Sequence, residues 1–208
     1  MREYISFENK GPTFRVMNHH DQLLKHISKF SALTNEDELL LTSKFRYKLV
    51  EKKDFLLQEG QVCNHYYFVL TGCLRFYKII NTGFEQILQF GIPNWWMSDY
   101  LSINNQRPSG YYIQAVEKTE VLVLTRYDAD ELFNEILAFN SYFRLMMQKA
   151  YTASLKKIEL MLCESAEDRY LQFTTGFPEF VQLIPQYMLA SFLGFTPQFL
   201  SGLRSKKL

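Results

Sequence analysis

The sequence has almost no net charge, few cysteines, few histidines and no long apolar run. Its 23 Lys and Arg against 22 Asp and Glu leave a formal net charge of +1. No global basic field exists, so any nucleic-acid affinity must come from a local patch. The three cysteines, Cys63, Cys73 and Cys163, are odd in number, far apart and without a CxxC pair. That pattern excludes a disulfide framework and a four-thiolate iron–sulfur site, and it points to thiols in a reducing compartment. Cys63 and Cys73 read as buried thiols, with a redox pair as the alternative. The four histidines, His19, His20, His26 and His65, form neither HxH nor HExxH, and no nucleophile–base set is visible. The expectation is a protein that is not an enzyme, with no metal and no cofactor. No stretch approaches the length of a membrane span, and residues 1–12 lack an apolar run of signal-peptide length. No membrane partner and a cytoplasmic location are therefore expected.

What is present is apolar and aromatic: 47% hydrophobic and 16% aromatic over 208 residues, enough to bury one large or two modest domains. Residues 1–20, with Gly11, Pro12 and the pair His19 and His20, show no lasting period and read as an N-terminal extension. Leu23, Leu24, Ile27 and Phe30, then Leu39, Leu40, Leu41 and Phe45, predict two short helices broken near Leu33 and Thr34. From Tyr47 to Thr125, short runs of aromatic and β-branched residues are separated by Gly60, Gly72, Gly83, Gly91 and Pro93. Runs at 66–70, 74–77, 86–90, 111–116 and 121–124 predict strands, and their even spacing without helices favours an antiparallel barrel or jelly roll.

After Asp128, the residues Phe143, Met147, Ala150, Ser154, Ile158 and Met161 recur at threes and fours, predicting one long helix of roughly 25–30 residues. Its apolar seam is covered either by a partner helix or by the chain's own barrel. Another helix is predicted over 164–180, ending around Gly176 and Pro178. Residues 186–203, QYMLASFLGFTPQFLSGL, follow. Gln186 opens the unit, Ala190 lets another helix lie close, and Gly194 can take the positive φ that reverses the chain. Thr196 then offers an N-cap hydroxyl, Pro197 fits the first helical position, and Leu200 and Leu203 close an apolar face. That is helix-turn-helix spacing, with an ordinary αα-hairpin as the alternative.

LLQEGQ at 56–61, YYFVLTGCLRFY at 66–77, IQAVEKTEVLVL at 113–124 and IPQYMLASFLGFTPQFLS at 184–201 occur in this order around those elements. In this the chain resembles the Crp/Fnr family of bacterial transcription regulators, and it looks most like a short branch in which no wing follows the recognition helix. The resemblance implies an α+β fold: an N-terminal antiparallel β-roll or jelly roll with flanking helices, a long dimerisation helix and a C-terminal helix-turn-helix domain. The implied divisions are 1–20 for the extension, 21–127 for a cyclic-nucleotide-binding-like sensor roll, 128–163 for the dimerisation helix and 164–208 for the helix-turn-helix domain. The implied partners are double-stranded DNA with a palindromic operator, a second copy of the chain along Phe143, Met147, Ala150, Ser154, Ile158 and Met161, and a small-molecule effector of unassigned chemistry.

In nucleotide-binding members of the family, a short helix after a Gly-Glu pair offers its amides to the phosphate, and a following Arg pairs the phosphate charge. Here Ser98 and Asp99 fall where Gly-Glu would be, and Ser109 or Gly110 falls where the Arg-Ser pair would lie. Arg107 stands nearby but is cut off by Pro108. The expectation is a roll that does not bind cyclic AMP or cyclic GMP. Trp95, Trp96, Tyr111 and Tyr112 either line a pocket for an apolar ligand, together with Ser98, Asp99, Arg107 and Ser109, or belong to the core.

At the DNA end, the family presents a Glu and an Arg to base edges, where this sequence has Gln198 and Gly202 with Phe199 between them. Gln198 suits adenine and Phe199 a thymine methyl, while Gln186, Thr196, Ser201, Arg204, Ser205, Lys206 and Lys207 are candidates for further DNA contacts. From 164 onward, Arg169, Arg204, Lys206 and Lys207 are balanced by Glu164, Glu167, Asp168 and Glu179, so the basic charge is local. The alternative is a ligand-binding or protein-interaction module whose helix-turn-helix is degenerate and reads no specific DNA.

Overall fold

The computed structural model describes residues 19–205, so most of the N-terminal extension, and Lys206 and Lys207, lie outside the described residues. Two helices open the described chain, α1 (Asp21–Ser28) and α2 (Asn35–Lys44). They break at the expected place because Thr34 caps α2: its hydroxyl accepts from the Asp37 amide at 3.1 Å, while the Asp37 carboxylate accepts from the Thr34 amide at 2.9 Å.

Eight strands follow, β1 (Arg46–Val50), β2 (Phe55–Leu57), β3 (His65–Thr71), β4 (Leu74–Ile79), β5 (Glu85–Gly91), β6 (Trp96–Met97), β7 (Tyr112–Ala115) and β8 (Thr119–Thr125). A single short helix, α3 (Tyr100–Asn105), interrupts them. They form two antiparallel sheets, in the orders β1-β8-β3-β6 and β2-β7-β4-β5. The antiparallel roll and the α+β class are as expected.

The interior of the roll is aromatic. Phe68, Trp96, Phe139, Tyr142 and Phe143 join Leu23, Ile27 and Leu41 in one buried cluster, so α1, α2 and the start of the long helix are held by the first sheet. The second sheet is apolar on a further face, where Tyr77, Ile87 and Phe90 meet Ile184 and Met188 from the C-terminal helices. A strand rich in apolar residues on both faces is what a doubly covered sheet requires.

The long helix differs from its expected bounds. The chain from 126 to 163 forms two helices, α4 (Arg126–Glu135) and α5 (Leu137–Cys163), rather than one from 128. No Gly or Pro marks the break; Ile136 leaves helical geometry at φ −113° and ψ 92° and buries its side chain in the roll cluster. Core burial thus overrides local helix preference. After α5 come α6 (Ala166–Gly176), α7 (Pro178–Leu183), α8 (Gln186–Leu193) and α9 (Pro197–Ser205). Among the described residues, no helix is long and apolar enough to cross a membrane.

Candidate nucleic-acid interface and nucleotide cassette

The α8–turn–α9 unit is built as its sequence dictates. Gly194 sits at φ 77°, its amide bonded to the Ser191 carbonyl at 3.1 Å, and the Phe195 amide reaches back to the Ala190 carbonyl at 2.8 Å. The Thr196 hydroxyl accepts from the Phe199 amide at 3.2 Å and starts α9. Leu189, Ala190, Leu193 and Leu200 form a buried knot against Phe173 and Val181, which fixes the crossing of the two helices. Arg169 of α6 braces the turn, its guanidinium 5.0 Å from the Phe195 ring centroid.

The opposite face of α9 is open. Thr196, Gln198, Phe199, Ser201, Arg204 and Ser205 are exposed, as is Gln186 at the start of α8. Gly202 shares that surface, and a Cβ placed there would meet nothing within 4 Å. Arg204 is the basic residue of the last turn, where it suits both the helix dipole and a phosphate.

In the roll, the cassette residues expected from sequence converge in part. Asp99 is buried at the start of α3. Its Oδ1 accepts from the amides of Leu101 at 3.0 Å and Ser102 at 3.1 Å, and its Oδ2 accepts from the Ser109 hydroxyl at 2.6 Å. The Tyr111 amide donates to the Ser109 Oγ at 2.9 Å, and the Ser102 hydroxyl donates to the Arg107 carbonyl at 2.6 Å. The amides that a bound phosphate would need are therefore satisfied by the chain's own carboxylate, beside which a second anion is repelled. Ser98 is buried nearby, its hydroxyl donating to the His65 carbonyl at 2.9 Å and lying 3.4 Å from Cys63 Sγ.

The side chains of three of the proposed pocket residues do not join this network. The Arg107 side chain is exposed and only its carbonyl enters the cassette. Trp95 is 44% exposed, while its neighbour Trp96 is buried in the core and donates its indole N–H to the Tyr142 hydroxyl at 2.9 Å. Tyr111 packs against Phe76, with centroids 4.8 Å apart. Cys63 and Cys73 are buried, and burial pushes the Cys73 thiol up to about 12, so it carries no thiolate.

The long helix divides its expected seam between two roles. Phe143 is buried in the roll cluster and Met147 packs on it, so these two serve the chain's own core rather than a free seam. Ala150, Ser154, Ile158 and Met161 are exposed. Tyr151, Leu155, Ile158 and Leu162, at 66%, 47%, 52% and 80% exposure, form an apolar stripe with spacings of four, three and four. The expected list follows one continuous period, but the covered face of α5 changes where the helix leaves the roll.

Sequence reading missed one buried and one half-buried polar group. Arg75 is buried on β4, held by Gln114 at 2.6 and 2.9 Å and by Glu85 at 2.5 Å. A charged residue amid the strand run LRFY was the available signal. Ser191 of α8, which carries no signature at all, hydrogen-bonds the edge of β5. A cavity of about 270 Å³ lies between these elements, walled by Arg75, Glu85, Tyr187, Ser191 and Phe195.

Comparison with known proteins covers both halves of this arrangement. The cyclic nucleotide-binding domain model matches residues 47–136, which span β1 to the end of α4. The roll is similar to a cyclic nucleotide-binding domain. It is joined to its helical partner in the manner of solved Crp/Fnr structures. FixK2 from Bradyrhizobium japonicum is similar with a TM-score of 0.66 at 16% identity, over 78% of this chain and 83% of that one. A regulator assigned to the Crp/Fnr family from Eubacterium rectale gives 0.65 at 16% identity, over 84% and 83%. Among curated proteins, the anaerobic regulatory protein of Pasteurella multocida is 27% identical over 128 residues, 62% of this chain and 46% of its own length. The chain spans about half the length of the curated relatives it matches.

Proposed function

We propose that this chain is a Crp/Fnr-type transcription regulator, working in the cytoplasm as a homodimer that reads a two-fold operator through α9. The observation that carries the reading is the capped α8–turn–α9 unit with its apolar side locked and its polar side exposed. Gln198 and Phe199 read base edges, while Thr196, Arg204 and Ser205 meet phosphate. The exposed stripe Tyr151, Leu155, Ile158 and Leu162 is the dimer seam, because an apolar a/d pattern on a helix that has left its own core fits a second copy of itself. The anaerobic regulatory proteins support a regulatory role by their names, and FixK2 supports the fold.

The roll of this chain does not take cyclic AMP or cyclic GMP. Asp99 takes the amides a phosphate would use, and among the described residues no guanidinium is hydrogen-bonded to it. An interaction module without specific readout is the second reading, favoured by Gly202 where a base-reading side chain would stand. Selection from a random duplex pool, followed by gel shift with competitor, tests the two. Enrichment of a palindrome with half-sites about one helical turn apart supports a regulator, and retention of all sequences equally overturns it. Calorimetric titration with cyclic AMP and cyclic GMP is expected to show no uptake, and micromolar binding of either overturns the cassette reading.

A further inference from the structure

β5 is the edge strand of the order β2-β7-β4-β5, so among the described residues one row of its backbone groups has no strand partner. One side chain from α8 completes that row. The Ser191 hydroxyl donates to the Glu85 carbonyl at 2.6 Å, and its oxygen accepts from the Ile87 amide at 2.9 Å. These two groups, two residues apart on one strand edge, are those a neighbouring strand would use. The Gln86 side-chain amide returns a hydrogen bond to the Ser191 carbonyl.

The next residue of each element adds a second fastening. Gln89 pairs with Phe76 and Ile87 with Tyr77, so the bulge leaves Leu88 without a partner on β4. Its carbonyl accepts from the Lys157 ammonium of α5 at 2.8 Å. The same ammonium lies 3.6 Å from the ring centroid of Phe192, the residue after Ser191. Lys157 is half-buried, and its desolvation pushes the ammonium down to about 8. Phe90 meets Phe180 and Phe192 at 5.2 and 5.3 Å behind these polar contacts.

We infer that Ser191 and Lys157 are positioning residues of the DNA-reading unit: together they close the open edge of β5 and hold α8–α9 in one place against the roll and α5. Residues 166–205 are too few to bury a substantial core alone, so their order depends on this attachment. The polar fastening gives direction that apolar contacts lack. A shift of β5 by one residue would turn the Glu85 and Ile87 groups away and release α8.

The inference rests on α9 as a DNA-reading helix, but its test needs no DNA. Hydrogen exchange and calorimetry are run on the full chain as wild type, Ser191→Ala, Ser191→Thr, and Ser191→Ala with Lys157→Met. Wild type is expected to melt in one transition. In the double variant, amides of α6–α9 are expected to exchange about tenfold faster while β3 and β8 keep their protection, and a lower transition separates for the reading unit. Ser191→Ala alone gives a smaller change of the same kind if the double variant fails to fold. Ser191→Thr keeps the hydroxyl and restores wild-type exchange. Unchanged α6–α9 exchange in both Ala variants, or Ser191→Thr behaving as Ser191→Ala, overturns the inference. Loss of operator binding in wild type overturns the regulator reading instead and leaves these exchange rates as they are.

Discussion

Replacing Asp99 by Ala removes an N-cap and the acceptor of the buried Ser109 hydroxyl at once, and each loss costs about 1 kcal/mol. Asp99→Ala is therefore expected to lower the unfolding free energy by about 2 kcal/mol in urea titration. The change also bares the amides of Leu101 and Ser102, yet the Arg107 guanidinium remains outside the cassette. Cyclic AMP is thus expected to stay unbound in the variant; micromolar uptake would show that the carboxylate alone had closed the site. Gly202 poses the opposite case, since a methyl there meets open space in a helix interior. Gly202→Ala is expected to stabilise α9 by about 1 kcal/mol, read as a higher melting midpoint. At this scale the sequence identified Asp99 but not the direction of its carboxylate. Trp95 and Trp96 show why: adjacent and identical, they part where the turn at 93–94 gives way to β6, which leaves Trp95 in solvent and takes Trp96 into the core.

Between elements, a buried polar chain ties α1 to α5 and β6. Trp96 can only donate, so the Tyr142 hydroxyl accepts from it at 2.9 Å and has its own proton to offer to the Nδ1 of a neutral His26, 2.8 Å away. Burial, then Lys29 and Lys149, holds the His26 pKa below its ordinary 6.5. Because the folded pKa is depressed, the unfolded chain takes up the proton first as pH falls through 6.5. Stability is therefore lost on acidification, down to the folded pKa, and flattens below it. The melting midpoint is expected to fall between about pH 7.5 and about pH 5.5, and His26→Gln is expected to flatten that slope. An equal slope in the variant would place the titration elsewhere. Elements with strong periods, such as β3, β8 and α8, were legible from sequence. β6 with two residues and β1 with every residue but Val50 exposed carried too little pattern, and the break at Ile136 comes from tertiary burial that no local signal announces.

For the whole molecule, the decisive question is what covers α5 beyond Ala150. Tyr151, Leu155, Ile158 and Leu162 are all exposed, and each would leave water against a second α5. Such a seam would set the two α9 helices on a common two-fold axis, and an operator engaged by both would gain from the effective concentration of the second half-site. Leu155→Glu with Ile158→Glu places four carboxylates in that seam per pair of chains. Sedimentation is expected to show twice the chain mass for wild type and a single chain for the variant, with the melting of the roll unchanged because Phe143 and Met147 remain packed. Affinity for a full palindrome is expected to fall by about two orders of magnitude, while affinity for an isolated half-site stays the same. A variant that remains dimeric would move the interface off α5. A monomeric variant that keeps full palindrome affinity would instead remove the two-fold axis from DNA reading, leaving α9 to act one helix at a time.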